Sequence, residues 1–134
     1  MTILSEDDRM YVDVGGFDIW NSLYSTVITH LAHMKNEIVL AISFFESGTC
    51  LPSNCIETAR ELNLIRDALS QIPPSEAVYD YKKPAKKAPW LNNISPIITS
   101  CGNLFTTADG KDLIFELNTV LCYCSINKIS VVAQ

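Results

Sequence analysis

Residues 11–20 read YVDVGGFDIW, and the fold class rests on the change of pattern within this stretch. Its first four residues have the aromatic and β-branched composition of a strand. Gly15 and Gly16 then break the strand, and Asp18 is a suitable N-cap for a following helix. A strand and a helix therefore adjoin near the N-terminus, which is typical of a protein that mixes both elements.

Strand-type segments occur at both ends of the chain. Thr2 to Ser5 and Met10 to Val14 flank the turn-like Glu6-Asp7-Asp8-Arg9, so these residues predict an antiparallel hairpin. The C-terminal residues 129–133 also have strand composition. Two shorter strands are predicted in the middle of the chain, at residues 77–81 and 104–107.

Two helices are predicted in the first half of the chain. The first starts at Asp18 and carries a helical stripe of apolar residues, namely Trp20, Leu23, Tyr24, Val27, Leu31 and Met34. The second runs from Asn36 as N-cap to Glu46, with Gly48 as a stop beyond its end. Because this helix is apolar nearly all round, we expect it to lie in the core. The alternative is that it exposes apolar surface to a partner.

Two further helices are predicted. The third starts at Ser53 as N-cap, ends before Pro73 and Pro74, and has the stripe Ile56, Ala59, Leu62, Ile65, Leu69 and Ile72. The fourth starts near Asp109 or Asp112, where a carboxylate lies favourably against the positive end of the helix dipole. Its stripe consists of Leu113, Leu117, Val120, Leu121 and Cys124.

These elements predict an α+β fold. A small, mainly antiparallel sheet, made of the N-terminal hairpin, the central short strands and the C-terminal strand, is packed with about four α-helices. With 134 residues, 48% hydrophobic and 19% charged, the chain is large enough for one core and is expected to form a single domain over residues 1–134.

The charge is negative and unevenly distributed. The formal net charge is −5, and residues 1–80 contain twelve acidic and four basic side chains, whereas residues 81–134 contain six basic and three acidic. This balance opposes contact with phosphate backbones, so we expect no direct nucleic-acid partner. An acidic face can steer association with a basic protein. For the charge imbalance alone, a solubility surface explains the pattern equally well.

The N-terminal residues turn acidic early, and no apolar run approaches the roughly 20 residues that span a bilayer. The cysteines form an odd set of five without a disulfide framework. We therefore expect a cytoplasmic protein with reduced thiols and no membrane partner.

No motif of catalysis or cofactor binding is present. The chain contains neither a Gly-x-Ser-x-Gly elbow nor a glycine-rich phosphate loop. His30 and His33 would share a side of the first helix, but none of the cysteine spacings is a strong zinc spacing. We expect no catalytic, cofactor or metal site. The lysine-rich residues 82–87 predict a solvated loop or a contact with an acidic patch of a partner.

Four segments are similar to successive blocks of the immunity protein 70 family, and they cover most of the chain. The segments are residues 17–27, 59–74, 89–95 and 105–113. The departure is at Tyr81-Lys82-Lys83, where the family pattern implies an acidic segment. The resemblance implies a bacterial protein that binds the C-terminal domain of a cognate toxin. The implied toxin is a contact-dependent growth inhibition nuclease, such as a tRNase.

By this resemblance the protein is not an enzyme. It is expected to occlude the active site or substrate surface of the toxin as a monomer in a 1:1 complex. Because nucleases bind polyanions, we expect acidic side chains to contact the toxin. The candidates are Glu57, Glu61 and Asp67 on a solvated face of the third helix, Glu37 and Glu46 on the second, and Glu6, Asp7 and Asp8 in the hairpin turn.

Two other functions are compatible with the residues. The first is an adaptor or regulatory module that binds a protein other than a toxin. The second is a small metalloenzyme that uses His30, His33 and a cysteine.

Overall fold

A computed structural model describes all 134 residues. The strands are β1 (Thr2–Ser5), β2 (Tyr11–Asp13) and β3 (Val131–Ala133), and the α-helices are α1 (Phe17–His30), α2 (Val39–Ser47), α3 (Cys55–Leu69) and α4 (Leu113–Asn127). Short 3-10 helices cover Ala32–Glu37, Pro52–Asn54, Pro74–Glu76 and Pro89–Asn92. The predicted α+β class is confirmed.

The sheet has the order β2-β1-β3 and is antiparallel throughout. β1 pairs with β2 in the register Ile3 to Val12, and with β3 in the register Leu4 to Val132. The predicted N-terminal hairpin and C-terminal strand are therefore confirmed. The first and last strands of the chain are therefore neighbours in the sheet.

The two predicted central strands are wrong. Residues 104–107 form only an isolated bridge between Thr106 and Asp112, and residues 77–81 form no strand. In residues 77–81, buried hydroxyl groups of α1 form hydrogen bonds with the backbone instead. Thr26 Oγ1 accepts from the Val78 N–H at 3.0 Å, and Ser22 Oγ donates to the Val78 carbonyl at 2.8 Å. The backbone of this segment is thus satisfied without a neighbouring strand.

Helix boundaries in the first half differ from the prediction. The N-cap of α1 is Gly16, with Asp18 in the first turn, and the helix ends at His30. The predicted extension to Met34 is wrong, because Leu31 leaves helical geometry at φ −111° and a 3-10 helix follows. α2 starts at Val39 instead of following Asn36. Its end is as predicted, since Gly48 adopts the left-handed conformation at φ 72°.

α3 starts one residue later than predicted, with Asn54 and not Ser53 as its N-cap. Pro52–Asn54 form a 3-10 turn, and the side chain of Ser53 makes no capping hydrogen bond. Ile56 is exposed, whereas Cys55 occupies the core position. The other members of the predicted stripe from Ala59 to Leu69 are buried.

α4 matches the prediction most closely. Asp112 is its N-cap and accepts from the Phe115 N–H at 3.0 Å. All five members of the predicted stripe are buried. α4 packs against α3 and against the strands β1 and β2, so it links the helical layer to the sheet.

The core is one cluster of buried apolar residues that includes side chains from all four α-helices and all three strands. Trp20 of α1 packs edge-on against Phe44 of α2, with ring centroids 5.5 Å apart. Its indole N–H donates to the Phe45 carbonyl at 2.8 Å. No helix combines the length and the apolar character needed to cross a membrane.

All five cysteines are free thiols, and Cys122 is the exposed one. Burial raises the pKa of Cys101 and of Cys124 to about 11. Because the thiolate is the reactive form, we expect one thiol per chain to react with Ellman's reagent at pH 8 in the folded protein, and five in guanidinium. The variant Cys122→Ser should react only after unfolding. Fast reaction of two or more native thiols would contradict this packing.

Candidate functional site

A groove of about 430 Å³ lies between α1, α2 and residues 80–82. We call it the aromatic-acidic groove. Its lining residues are Phe17, Trp20, Asn21, Tyr24, Phe45, Glu46, Asp80, Tyr81 and Lys82.

The aromatic side of the groove is built on α1. Phe17, Asn21 and Tyr24 recur at spacings of four and three residues, which places them on one face of the helix. Phe17 is the first residue of α1, where no preceding turn covers it, and it is 65% exposed. Tyr81 packs edge-on against Tyr24, with centroids 5.7 Å apart. The groove therefore presents two exposed aromatic rings, those of Phe17 and Tyr81.

The segment that carries Tyr81 is held by α1. The Tyr81 N–H donates to Ser25 Oγ at 3.0 Å, and Ser25 is buried. Next to it, the Lys82 ammonium lies 5.7 Å from the centroid of the Tyr81 ring. Further along, the Lys86 ammonium lies 5.3 Å from the Tyr79 ring. Two of the four lysines in this loop thus contact tyrosine faces of their own protein.

The acidic side of the groove consists of Glu46 and Asp80, and Lys82 is the one basic residue that lines the groove. Glu46 Oε2 accepts from the Tyr24 hydroxyl at 3.1 Å. Burial, followed by the hydrogen bond to Glu46, raises the pKa of Tyr24 to about 12. Tyr24 therefore keeps its proton at neutral pH and holds the Glu46 carboxylate in place.

This arrangement suits recognition of a protein surface. Exposed aromatic rings supply large contact areas, and neighbouring carboxylates supply charge complementarity and specificity. The groove holds no histidine or cysteine, and no three His, Cys, Asp or Glu side chains anywhere in the structure lie close enough to hold a metal ion. His30 Nε2 lies 2.7 Å from the Glu76 carbonyl, and His33 is exposed. The residues of the metalloenzyme hypothesis are therefore not assembled into a site.

The profile of the family described as Immunity protein 70 matches residues 5–132 of the chain. The chain belongs to the immunity protein 70 family. Membership supports a role as an immunity protein, which implies binding to a cognate toxin protein and suggests an inhibitor without enzymatic activity. No curated protein and no solved structure matches the chain.

The eight acidic residues that we predicted as toxin contacts lie on separate elements of the structure. Glu46 lies in the aromatic-acidic groove. Glu37 is exposed in the 3-10 helix before α2. Glu57 and Asp67 are exposed on α3, and their separation of ten residues corresponds to about 15 Å along the helix axis. Glu57 pairs with Arg60 at 3.0 Å.

In this family member the hairpin turn is tied to the end of α4 and the segment after it. Asp7 accepts from the hydroxyls of Ser5 at 2.6 Å and Tyr123 at 2.7 Å, and these hydrogen bonds hold the pKa of Asp7 below its ordinary value. Glu6 Oε1 accepts from the Ser130 N–H at 3.3 Å. Asp8 is exposed in a left-handed turn conformation at φ 62°. Glu6 and Asp7 thus have structural partners within the chain.

Glu61 does not lie on a solvated face, so that expectation is wrong. Its exposed fraction is 6%, and Oε1 accepts from the Ala41 N–H at 3.0 Å. Ala41 lies in the first turn of α2, whose N-cap Ile38 makes no side-chain capping bond. Glu61 therefore caps α2 from another helix, and its carboxylate is occupied inside the protein.

Sequence reasoning did not single out Phe17, Asp80 or Tyr81 as binding residues. Only Phe17 could have been found from the sequence, because its spacing from Trp20 and Tyr24 places it on the same face of the first helix. Nothing in the sequence indicated that residues 80–82 would pack beside this helix face. That contact depends on Ser25, 56 residues earlier in the chain.

Proposed function

We propose that this chain is a single-domain, cytoplasmic immunity protein that binds the C-terminal domain of a cognate toxin as a monomer in a 1:1 complex. It covers the active site or the substrate surface of the toxin. The toxin is a nuclease of a contact-dependent growth inhibition system, such as a tRNase. The observation that carries the proposal is the exposed ring of Phe17 beside the carboxylates of Glu46 and Asp80 in one groove.

Charge and shape both support this function. A nuclease binds a polyanion, so its active site is basic, and carboxylates placed over it replace the charge of the substrate. Complementary charge also speeds association and disfavours wrong partners. Aromatic residues at the centre of an interface supply most of the affinity. We propose that Phe17 and Tyr81 anchor the toxin and that Glu46 and Asp80 contact its basic groups.

The remaining exposed carboxylates have a secondary role in this proposal. Glu37, Glu57, Asp67, Glu6, Asp7 and Asp8 add long-range attraction to the toxin, and Glu6 and Asp7 also hold the hairpin turn in place. Glu61 is left out because its carboxylate is buried.

The first test is growth protection. Co-expression with the C-terminal domain of the toxin encoded next to this chain should allow cells to survive, and the two proteins should co-purify. Survival without a stable complex would contradict occlusion. Death of the cells together with co-purification of an unrelated protein would favour the adaptor function.

The variant Phe17→Ala should weaken toxin binding by about 2 kcal/mol, which is about thirtyfold in Kd, because an aromatic anchor at an interface loses its contact area. Isothermal titration calorimetry with the purified toxin domain measures this change. Ile126→Ala is the matched control, since Ile126 is 78% exposed near the end of α4 and does not line the groove. Equal affinity of the Phe17 variant and the wild type would remove the groove from the interface.

A further inference from the structure

The outer edge of β2 has main-chain groups without partners. The Ser5 N–H donates to the Met10 carbonyl, and the Val14 N–H donates to the Met1 carbonyl, which identifies the hydrogen-bonded pairs of the hairpin. Hydrogen-bonded and non-hydrogen-bonded pairs alternate in an antiparallel ladder. The N–H and C=O groups of Tyr11 and Asp13 therefore point away from β1.

One of these four groups is occupied. The Asp13 carbonyl accepts from the Ala108 N–H at 2.9 Å. The Tyr11 N–H, the Tyr11 carbonyl and the Asp13 N–H make no hydrogen bond within the chain. Such an edge is a ready template for another extended segment.

The opposite edge of the sheet is covered at Val131. Val131 of β3 exchanges two main-chain hydrogen bonds with Cys50, at 3.0 and 2.9 Å. The segment after α2 therefore occupies β3 at this position. Two free outward groups remain on β3, both at Ala133, and three remain on β2.

A cleft of about 560 Å³ follows the free edge of β2. Its charged lining residues are Asp13, Asp109, Lys111 and Glu116. The Lys111 ammonium lies 3.5 Å from Asp109, whereas Asp13 and Glu116 have no ion pair. Two carboxylates are thus left without a cation beside a row of free main-chain groups, and the Tyr11 side chain is 68% exposed above them.

We propose that the β2 edge binds an extended segment of the toxin as an added strand, with a lysine or arginine of that segment contacting Asp13 or Glu116. The main chain supplies the pairing, and the two carboxylates select a basic segment. Because Ala108 already occupies the Asp13 carbonyl, the added strand pairs at the Tyr11 end of β2. This inference rests on the proposed function for the identity of the partner.

Amide hydrogen exchange in the wild-type complex tests the inference directly. On addition of the toxin domain, the amide of Tyr11 should become protected by tenfold or more, on the order of one added hydrogen bond. The amide of Val12 points toward β1 and should change little. A complex in which the Tyr11 amide exchanges as in the free protein would overturn the inference and leave the proposed function intact.

The variant Tyr11→Pro removes the outward N–H without removing a bond inside the sheet. Its Kd for the toxin domain should rise at least about tenfold. Ala133→Pro is the matched control, because its N–H also points away from β1, on the opposite edge, and makes no hydrogen bond. Folding of both variants is checked by circular dichroism.

Three further results would count against the added strand. Equal affinities of folded Tyr11→Pro and Ala133→Pro would overturn it. A wild-type protein that dimerises in solution, and becomes monomeric as Tyr11→Pro, would assign the edge to a second copy of this chain. Failure of the wild type to bind the toxin domain at all would overturn the proposed function, and the inference with it.

Discussion

Replacement of Glu61 by lysine should strongly destabilise the protein. The carboxylate is buried and accepts the Ala41 N–H at 3.0 Å at the start of α2. The variant loses this hydrogen bond and places a cation beside the positive end of a helix dipole. Loss of one partner of a buried charged interaction costs about 3–5 kcal/mol. The free energy of unfolding of a domain of this kind is about 5–15 kcal/mol, so this loss is a large part of it.

Urea denaturation monitored by circular dichroism measures this effect, and two variants serve as controls. Glu57→Lys changes the same charge one turn earlier on α3, where the Glu57 side chain is 54% exposed, and should shift stability by no more than about 0.5 kcal/mol. Glu61→Gln keeps an acceptor but removes the charge, so an intermediate loss of about 1 kcal/mol is expected. Equal stability of Glu61→Lys and Glu57→Lys would show that α2 does not depend on this cap.

The same geometry determines how toxin contacts on α3 should be tested. Reversing Glu57, Glu61 and Asp67 together would strongly destabilise the protein through Glu61, so a loss of binding would not report on contact with the toxin. The double variant Glu57→Lys with Asp67→Lys changes only exposed charges. If these residues act through long-range attraction, the double variant should slow association at low salt and leave dissociation unchanged.

Trp20→Ala should be the most destabilising truncation among the aromatic residues, at about 3–5 kcal/mol. The substitution leaves a cavity beside Phe44 and Phe45, where the Trp20 ring makes two edge-on contacts. It also leaves the Phe45 carbonyl without the indole N–H that it accepts at 2.8 Å. Both changes occur in the contact of α1 with α2, which forms one wall of the aromatic-acidic groove.

Thermal and urea denaturation of Trp20→Ala and Trp20→Phe separate the contribution of ring packing from that of the indole hydrogen bond. Trp20→Phe retains most of the ring contacts and loses the N–H, so it should cost about 1–3 kcal/mol. Its toxin affinity, measured well below the unfolding midpoint, should stay closer to that of the wild type than the affinity of Trp20→Ala. A Trp20→Ala variant as stable as Trp20→Phe would mean that packing at this position contributes little.

Several elements were predictable from the sequence because their signals are local. Asp112 caps the helix that begins at Leu113, and Gly48 ends α2 in a conformation that favours glycine. The hairpin around residues 6–9 and the strand near the C-terminus also follow from neighbouring residues. In each case the hydrogen-bonding or conformational preference acts within a few residues.

The failed predictions involve partners that are distant in the sequence. Residues 77–81 have strand composition, but buried hydroxyl groups of α1 bind their backbone across more than 50 positions. The candidate site was predictable only in part, for the same reason. Glu46 was identified as acidic and accessible, whereas Phe17 and Tyr81 acquire their role only when residues 80–82 pack beside α1.

By itself, the sequence determined the α+β class, the order of the hairpin, the four α-helices and the C-terminal strand, and the resemblance to the immunity protein 70 family. These depend on periodicity, turn residues and recurring blocks. The tertiary structure decided which carboxylates reach the solvent. Glu57 and Glu61 are one turn apart on one helix, yet α2 covers the second and leaves the first exposed. Helical spacing gives the direction of a side chain, but its burial depends on which other element packs there.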